Sequence, residues 1–174
     1  MERIKRAIAA VILLSLSIFS FAGCATKQAR GPLHVKKVTY VIYGGDINHD
    51  EVYVITSDRK VTQYSVDPEA DKRYDYIAGE FPSEDKYEVK EYEMTELSWT
   101  SMVNVLTRVN FMEIQEDLNA TGDICDACTY YIKVETSDAS HTAGGYAAGM
   151  SEGYQHKNFA EARQYITSAL RNEV

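Results

Sequence analysis

The chain is poor in positive charge. Its 174 residues carry 18 Lys+Arg against 26 Asp+Glu, a formal net charge of -8. A general DNA or RNA binder needs a basic surface to neutralise phosphates, so that class is excluded. No internal repeat is visible, which leaves solenoids and propellers aside. The glycine-rich run Gly144-Gly145-Tyr146-Ala147-Ala148-Gly149 lacks the Gly-Lys-Ser/Thr ending and following helix of a phosphate loop, and reads as a place of close backbone approach or a bend. Ser98, Ser101 and Ser151 stand in no G-x-S-x-G elbow. There are three cysteines and no second C-x-x-C, so zinc at Cys125 and Cys128 would need ligands such as His141 and His156, which lie at no recognised zinc spacing. What remains is an ordinary globular composition, 45% hydrophobic and 25% charged, of a length that suits one domain.

The N-terminus is organised as an address. Arg3, Lys5 and Arg6 precede a stretch from Ala7 to Gly23 that contains no charged residue. A basic start followed by an apolar stretch is the pattern of a secretory signal peptide, and a basic flank stays on the cytoplasmic side while the rest is exported. The stretch is at the short limit for a membrane span. It ends in Ser20-Phe21-Ala22-Gly23-Cys24-Ala25. This segment resembles the lipobox of bacterial lipoproteins, with Ala22, Gly23 and Cys24 matching and Phe21 standing where Leu is usual. The resemblance implies that Cys24 receives a diacylglyceryl group and becomes the mature N-terminus, so the expected location is the bacterial cell envelope, outside the cytoplasm, on a membrane lipid anchor. Ser20-Phe21-Ala22 also fits an ordinary small-x-small cleavage site, and an uncut anchor is the third reading. Cysteine parity favours the lipid, because consuming Cys24 leaves Cys125 and Cys128 to pair with each other in an oxidising compartment. Each buried methylene contributes roughly 0.8 kcal/mol, so two or three acyl chains hold permanently where one does not.

Three segments follow: a signal peptide at 1–23, the lipidated Cys and a flexible basic tether at 24–37, and a single globular domain at 38–174. The tether, Ala25 to Lys37, has four basic residues, no acidic ones and a Gly31-Pro32 break. Residues 38–174 then hold the other 11 basic residues of the mature chain and 25 acidic ones, a net of -14. A positive tether would lie on anionic headgroups while an acidic domain is pushed off them.

Within the domain, Val38-Thr39-Tyr40-Val41-Ile42-Tyr43 is β-branched and aromatic and ends at Gly44-Gly45. Glu51–Thr56 and Lys60–Val66 around Ser57-Asp58-Arg59 read as a hairpin. The acidic stretch 67–93 contains Tyr74, Tyr76, Ile77, Phe81, Tyr87, Val89 and Tyr92 and predicts one or two strands around a loop at Pro82–Asp85. A helix capped by Thr95 or Ser98 follows, with Trp99, Met102, Val103, Leu106 and Val109 on one stripe. Thr129–Thr136 alternates, with Tyr130, Ile132 and Val134 on one face, and His141–Tyr146 returns antiparallel. Asn158 is expected to cap a last helix with Phe159, Ala162, Ile166, Ala169 and Leu170 inward. The predicted fold is α+β: an antiparallel sheet of about five to six strands with two amphipathic helices packed on one face. The pieces Ser57-Asp58, Leu97-Ser98-Trp99, Asp123-Ile124-Cys125-Asp126 and Gly144-Gly145-Tyr146 resemble a group of small bacterial lipoproteins with a domain of unknown function, a resemblance that implies no activity.

The chemistry on offer is modest. Cys125-Asp126-Ala127-Cys128 fits a local structural disulfide, a free dithiol, or a redox pair with Cys125 attacking and Cys128 resolving. The strand-like sequence after it and the acidic neighbours Asp123 and Asp126 speak against a lowered thiol pKa. The chain-entropy value of so short a ring is about 2 kcal/mol. Asp46-Ile47-Asn48-His49-Asp50 begins like a calcium loop but has Glu51 at the sixth position and Ser57 at the twelfth, and reads as a polar turn. No catalytic, cofactor-binding or metal-binding residue is assigned. All thirteen tyrosines lie beyond the tether, as sheet filling or as an exposed patch for a partner. The expectation is a non-enzymatic binding or structural module, partnered by the membrane through the lipid on Cys24 and by an envelope protein or glycan. The alternative is an extracytoplasmic thiol–disulfide redox protein using Cys125 and Cys128.

Overall fold

A computed structural model describes residues 31–67, 74–122 and 124–171. The signal-peptide residues, Cys24, residues 25–30 of the expected tether and Asp123 lie outside these. The described chain forms six strands, β1 (Val35–Tyr43), β2 (Asp50–Thr56), β3 (Lys60–Val66), β4 (Tyr87–Glu93), β5 (Thr129–Thr136) and β6 (Ser140–Tyr146), and two α-helices, α1 (Glu96–Arg108) and α2 (Tyr154–Arg171). The strands make one sheet in the order β4-β3-β2-β1-β5-β6, every pair antiparallel. The α+β class and the six strands agree with the sequence reading.

Strand β1 starts at Val35, three residues inside the segment expected as tether. Val35 is buried and pairs with Thr136, so the apolar side chain of an otherwise basic stretch has a place in the core. Each strand then alternates, as the period of two requires. Val38 and Tyr40, with Ile55, Val61, Ile132, Val134 and Ala143, join a large core that also holds Met102, Leu106, Phe159, Ala162 and Ile166 from the helices. Val41, Val52 and Val66 instead join a smaller core with Tyr76, flanked by Tyr43, Tyr64, Tyr74, Ile77, Phe81, Tyr87 and Tyr131. Strand β3 contributes Val61 to one core and Val66 to the other, which is why its sequence shows no clean apolar face.

Helix α1 is capped as expected: Thr95 Oγ1 accepts from the Ser98 amide at 3.2 Å, satisfying one of the exposed donors of the first turn. The last helix differs from expectation. It begins at Tyr154, after Gly153 in a left-handed conformation, so Asn158 sits inside it. Asn158 is buried and its Nδ2 donates to Val109 O at 2.9 Å, tying α2 to the end of α1. That bond satisfies a buried amide and explains a polar residue on the inward side of the helix.

The Gly144-Gly145 pair is a close backbone approach. A Cβ on Gly144 would lie 2.1 Å from Tyr130 O and 2.6 Å from the Tyr131 ring, and one on Gly145 would lie 2.8 Å from Asn119 N. At Gly144 the space is taken by β5 and at Gly145 by Asn119 of the segment after α1. In that segment Leu118 N donates to Gly144 O, and Glu116 O accepts from Gly144 N, so Glu116–Leu118 lies along the outer edge of β6. That arrangement covers a strand edge that would otherwise be open.

Candidate functional site

Residues 74–81 form a strap over one part of the sheet. Tyr76 anchors it. The ring is 6% exposed, and its hydroxyl donates at 2.8 Å to Asp50, itself 7% exposed at the start of β2. Phe81 packs on Tyr64 and Tyr87 with ring centroids 4.7 and 5.7 Å apart. Lys133 Nζ donates to Ile77 O at 3.5 Å. Within the strap Asp75 Oδ1 accepts from Ala78 N at 3.0 Å, and Asp75 N donates to Glu80 Oε2 at 3.5 Å. A chain segment without regular structure is thus held by one buried polar pair, aromatic packing and its own turn.

Between this strap and the strands lies a cavity of about 470 Å³, lined by Val41 and Tyr43 from β1, Tyr131 from β5, Thr142 from β6, and Tyr74, Asp75, Tyr76, Ile77 and Glu80 from the strap. Its volume falls in the range of small-molecule sites. Tyr43 and Tyr131 stack at 6.4 Å with 19° between their planes, and Tyr74 lies 6.2 Å from Tyr76. The sheet places the first pair side by side because Val41 pairs with Tyr131 and Tyr43 with Thr129 on neighbouring strands, which puts the two rings diagonally across the same face. On the other side of the strap, Lys37 and Lys133 both reach Glu135, at 2.9 and 3.4 Å. Burial pushes the Glu135 carboxyl up, but the bond and charge of Lys37 together with Lys133 outweigh it and the net shift is downward.

A second cavity of about 550 Å³ is lined by Tyr40, Ile42, Tyr53, Gln63, Lys90, Glu91, Tyr92, Thr167, Leu170 and Arg171. It is mixed in charge. Burial raises the Tyr40 hydroxyl to about 12 despite a 3.3 Å hydrogen bond with Thr167. Tyr53 is raised further, by burial and then by the neighbouring Glu51 carboxylate.

The two cysteines of the C-x-x-C segment carry free thiols, Cys125 exposed and Cys128 half-buried. Asp126 between them adopts a left-handed conformation at φ 56°. Cys128 Sγ donates to Gly44 O at 3.4 Å, and a Cβ on Gly45 would touch Cys128 Sγ and Asp126 O at 3.0 Å. The Tyr146 hydroxyl donates to Ile124 O at 2.7 Å and accepts from Ala127 N at 3.3 Å. Gly45, just past β1, therefore lets this loop lie flat against it, and Tyr146 pins it. The strand β5 follows directly, where a thioredoxin-type site has a helix. Tyr130, raised by burial and then by Cys128, lies under the Arg163 guanidinium at 4.1 Å.

The remaining sequence candidates are scattered. Asp50 of the calcium-like stretch belongs to β2 and binds Tyr76, while His49 pairs with Asp67 at 3.0 Å. His141 Nε2 lies 2.7 Å from Ile114 O, and His156 Nδ1 accepts from Gly149 N at 3.3 Å. Among the described residues no group of three or more His, Cys, Asp or Glu could hold a metal ion, and no helix is long and apolar enough to cross a membrane. The strap and its cavity are absent from the sequence reading. The available signal was the spacing of Tyr74, Tyr76, Ile77 and Phe81 inside an acidic stretch. No family model and no curated protein matches the chain.

Proposed function

We propose that the protein is a lipid-anchored component of the bacterial envelope whose α+β domain is a non-enzymatic binding module. In this reading both helices pack on one face of the sheet, and the strap covers part of the other. The alternation along β1 supports that layering: Val38, Tyr40 and Ile42 belong with helix residues, Val41 and Tyr43 with strap residues. The observation that carries the binding role is the tyrosine-walled cavity between strap and sheet. Its described lining is tyrosine, two carboxylates, a threonine and two apolar residues, a surface suited to holding a ligand.

The anchor rests on the lipobox-like Ser20–Ala25 and on the parity of the cysteines. Intact-mass measurement of the mature protein is expected to give a polypeptide beginning at an acylated Cys24. Cys24→Ala is expected to move the protein out of the membrane fraction. A variant that still fractionates with membranes as tightly as the parent would rule the lipid anchor out.

The redox reading keeps one observation in its favour, the exposed thiol of Cys125 three residues before Cys128. Cys128 Sγ donates to the Gly44 carbonyl, and no cation is bonded to either sulfur among the described residues. Inertness in an insulin-reduction assay is the expected result.

A further inference from the structure

We propose that the cavity under the strap binds a small organic cation, of the quaternary or tertiary ammonium class. This rests on reading that cavity as the binding site. Four of the nine described lining residues are tyrosines and two, Asp75 and Glu80, are acidic; among these described residues none is Lys, Arg or His. Aromatic faces carry negative electrostatic potential and attract a cation, most strongly when the rings also remove it from water. Apolar Val41 and Ile77 complete the walls, which suits the alkyl groups of an ammonium ion.

The carboxylates are placed in advance. Asp75 and Glu80 are exposed at the mouth, but each is held within the strap, Asp75 by the Ala78 amide and Glu80 by the Asp75 amide. A ligand ordering neither side chain gains more from each. Lys133, which touches the strap at Ile77 O, is committed to Glu135, a carboxylate that also serves Lys37. Its charge is therefore compensated on the far side of the strap. The field of the whole domain has the same sign, since residues 38–174 carry 11 basic and 25 acidic residues, and this raises the local concentration of cations. The volume of about 470 Å³ between strap and strands suits a solute.

The test uses choline as probe and 3,3-dimethyl-1-butanol, its neutral isostere with carbon in place of nitrogen, as control. Equilibrium dialysis on the full-length mature protein in a non-ionic detergent measures both. Choline is expected to bind roughly tenfold or more tightly than the isostere, and to weaken as salt is added. Tyr131→Ala is expected to abolish this binding. The double variant Asp75→Asn/Glu80→Gln, which changes only exposed side chains and keeps an acceptor at each, is expected to weaken it several-fold while leaving thermal unfolding unchanged. Equal binding of choline and isostere, both lost in Tyr131→Ala, would overturn the cation and leave the cavity as a binding site. Preference for N-acetylglucosamine over choline would do the same. Choline binding unaltered in both variants would place it elsewhere and overturn the proposal. No binding of any of the three would overturn both the cation and the cavity as binding site.

Discussion

The domain has two cores that share one sheet, and they are built in different ways. The larger is mostly aliphatic around a few rings: Leu106, Ile166, Met102 and Ala162 from the helices meet Val38, Ile55, Ile132 and Val134, with Tyr40, Phe111 and Phe159 among them. Its partners are regular elements, so backbone groups are satisfied within helices and strands and the side chains need only fill space. The smaller is aromatic and holds an acidic residue. Tyr76, Phe81, Tyr64 and Tyr87 pack together, and Asp50 is buried beneath the Tyr76 hydroxyl. Its cover is an irregular strap, which must satisfy its own backbone through turns and the Lys133 contact. Helices contribute the side chains of the first core; an irregular strap borders the second and leaves a cavity. The binding proposal therefore falls on the second core.

The sharpest way to break this comparison is in the large core. Phe159 is fully buried, and Phe159→Ala is expected to cost about 3–5 kcal/mol in denaturant unfolding. On the strap side, Tyr76→Phe removes the donor to buried Asp50 and is expected to cost about 1–3 kcal/mol. It should also alter choline binding more than Phe159→Ala alters it in the fraction that remains folded. If Tyr76→Phe proved as costly to stability as Phe159→Ala, the strap would be an integral part of the main folding unit and the contrast between the cores would fail.

The smallest effect is at high pH, at the border of the large core. Tyr40 titrates at about 12 in the folded state against an ordinary 10.0. A group whose folded pKa is raised contributes stability that is fully present below the unfolded value and is lost as pH rises through the folded one. Stability is therefore expected to fall between about pH 10 and 12, by about 1 kcal/mol from this residue at pH 11. Tyr40→Phe should flatten that slope. Tyrosinate absorbance should show a fraction of the tyrosines, Tyr40 among them, ionising only as the protein unfolds. A Tyr40→Phe variant with an unchanged alkaline slope would contradict the burial argument.

Much of the large core was legible in sequence because its signals are periodic. The stripe Met102, Leu106 and Val109 and the inward set Phe159, Ala162, Ile166, Ala169 and Leu170 follow helical spacing, and all are buried. Tyr130, Ile132 and Val134 follow the strand period. The Thr95 cap was readable because hydroxyl chemistry at a helix start is local. Asn158 misled because the same side chain that caps a helix can also bind a distant carbonyl, and only the neighbouring α1 decides which. The strap gave no period, since a chain crossing a sheet obliquely is patterned by what lies under it. Asp50 looked like part of a polar turn or a calcium loop, and its pairing with Tyr76 spans 26 residues.

By itself, then, the amino-acid order determined the element types, the acidic surface and the helix starts where caps are local, because those depend on neighbours within a turn or a strand. It also carries the Ser20–Ala25 pattern on which the lipid-anchor proposal rests. Tertiary structure decided the strand order β4-β3-β2-β1-β5-β6, the burial of Asp50 and the meeting of Tyr43, Tyr131, Tyr74 and Tyr76 around one cavity. Those residues come from β1, β5 and a strap far apart in the chain, and only long-range pairing and packing bring them within reach of one another.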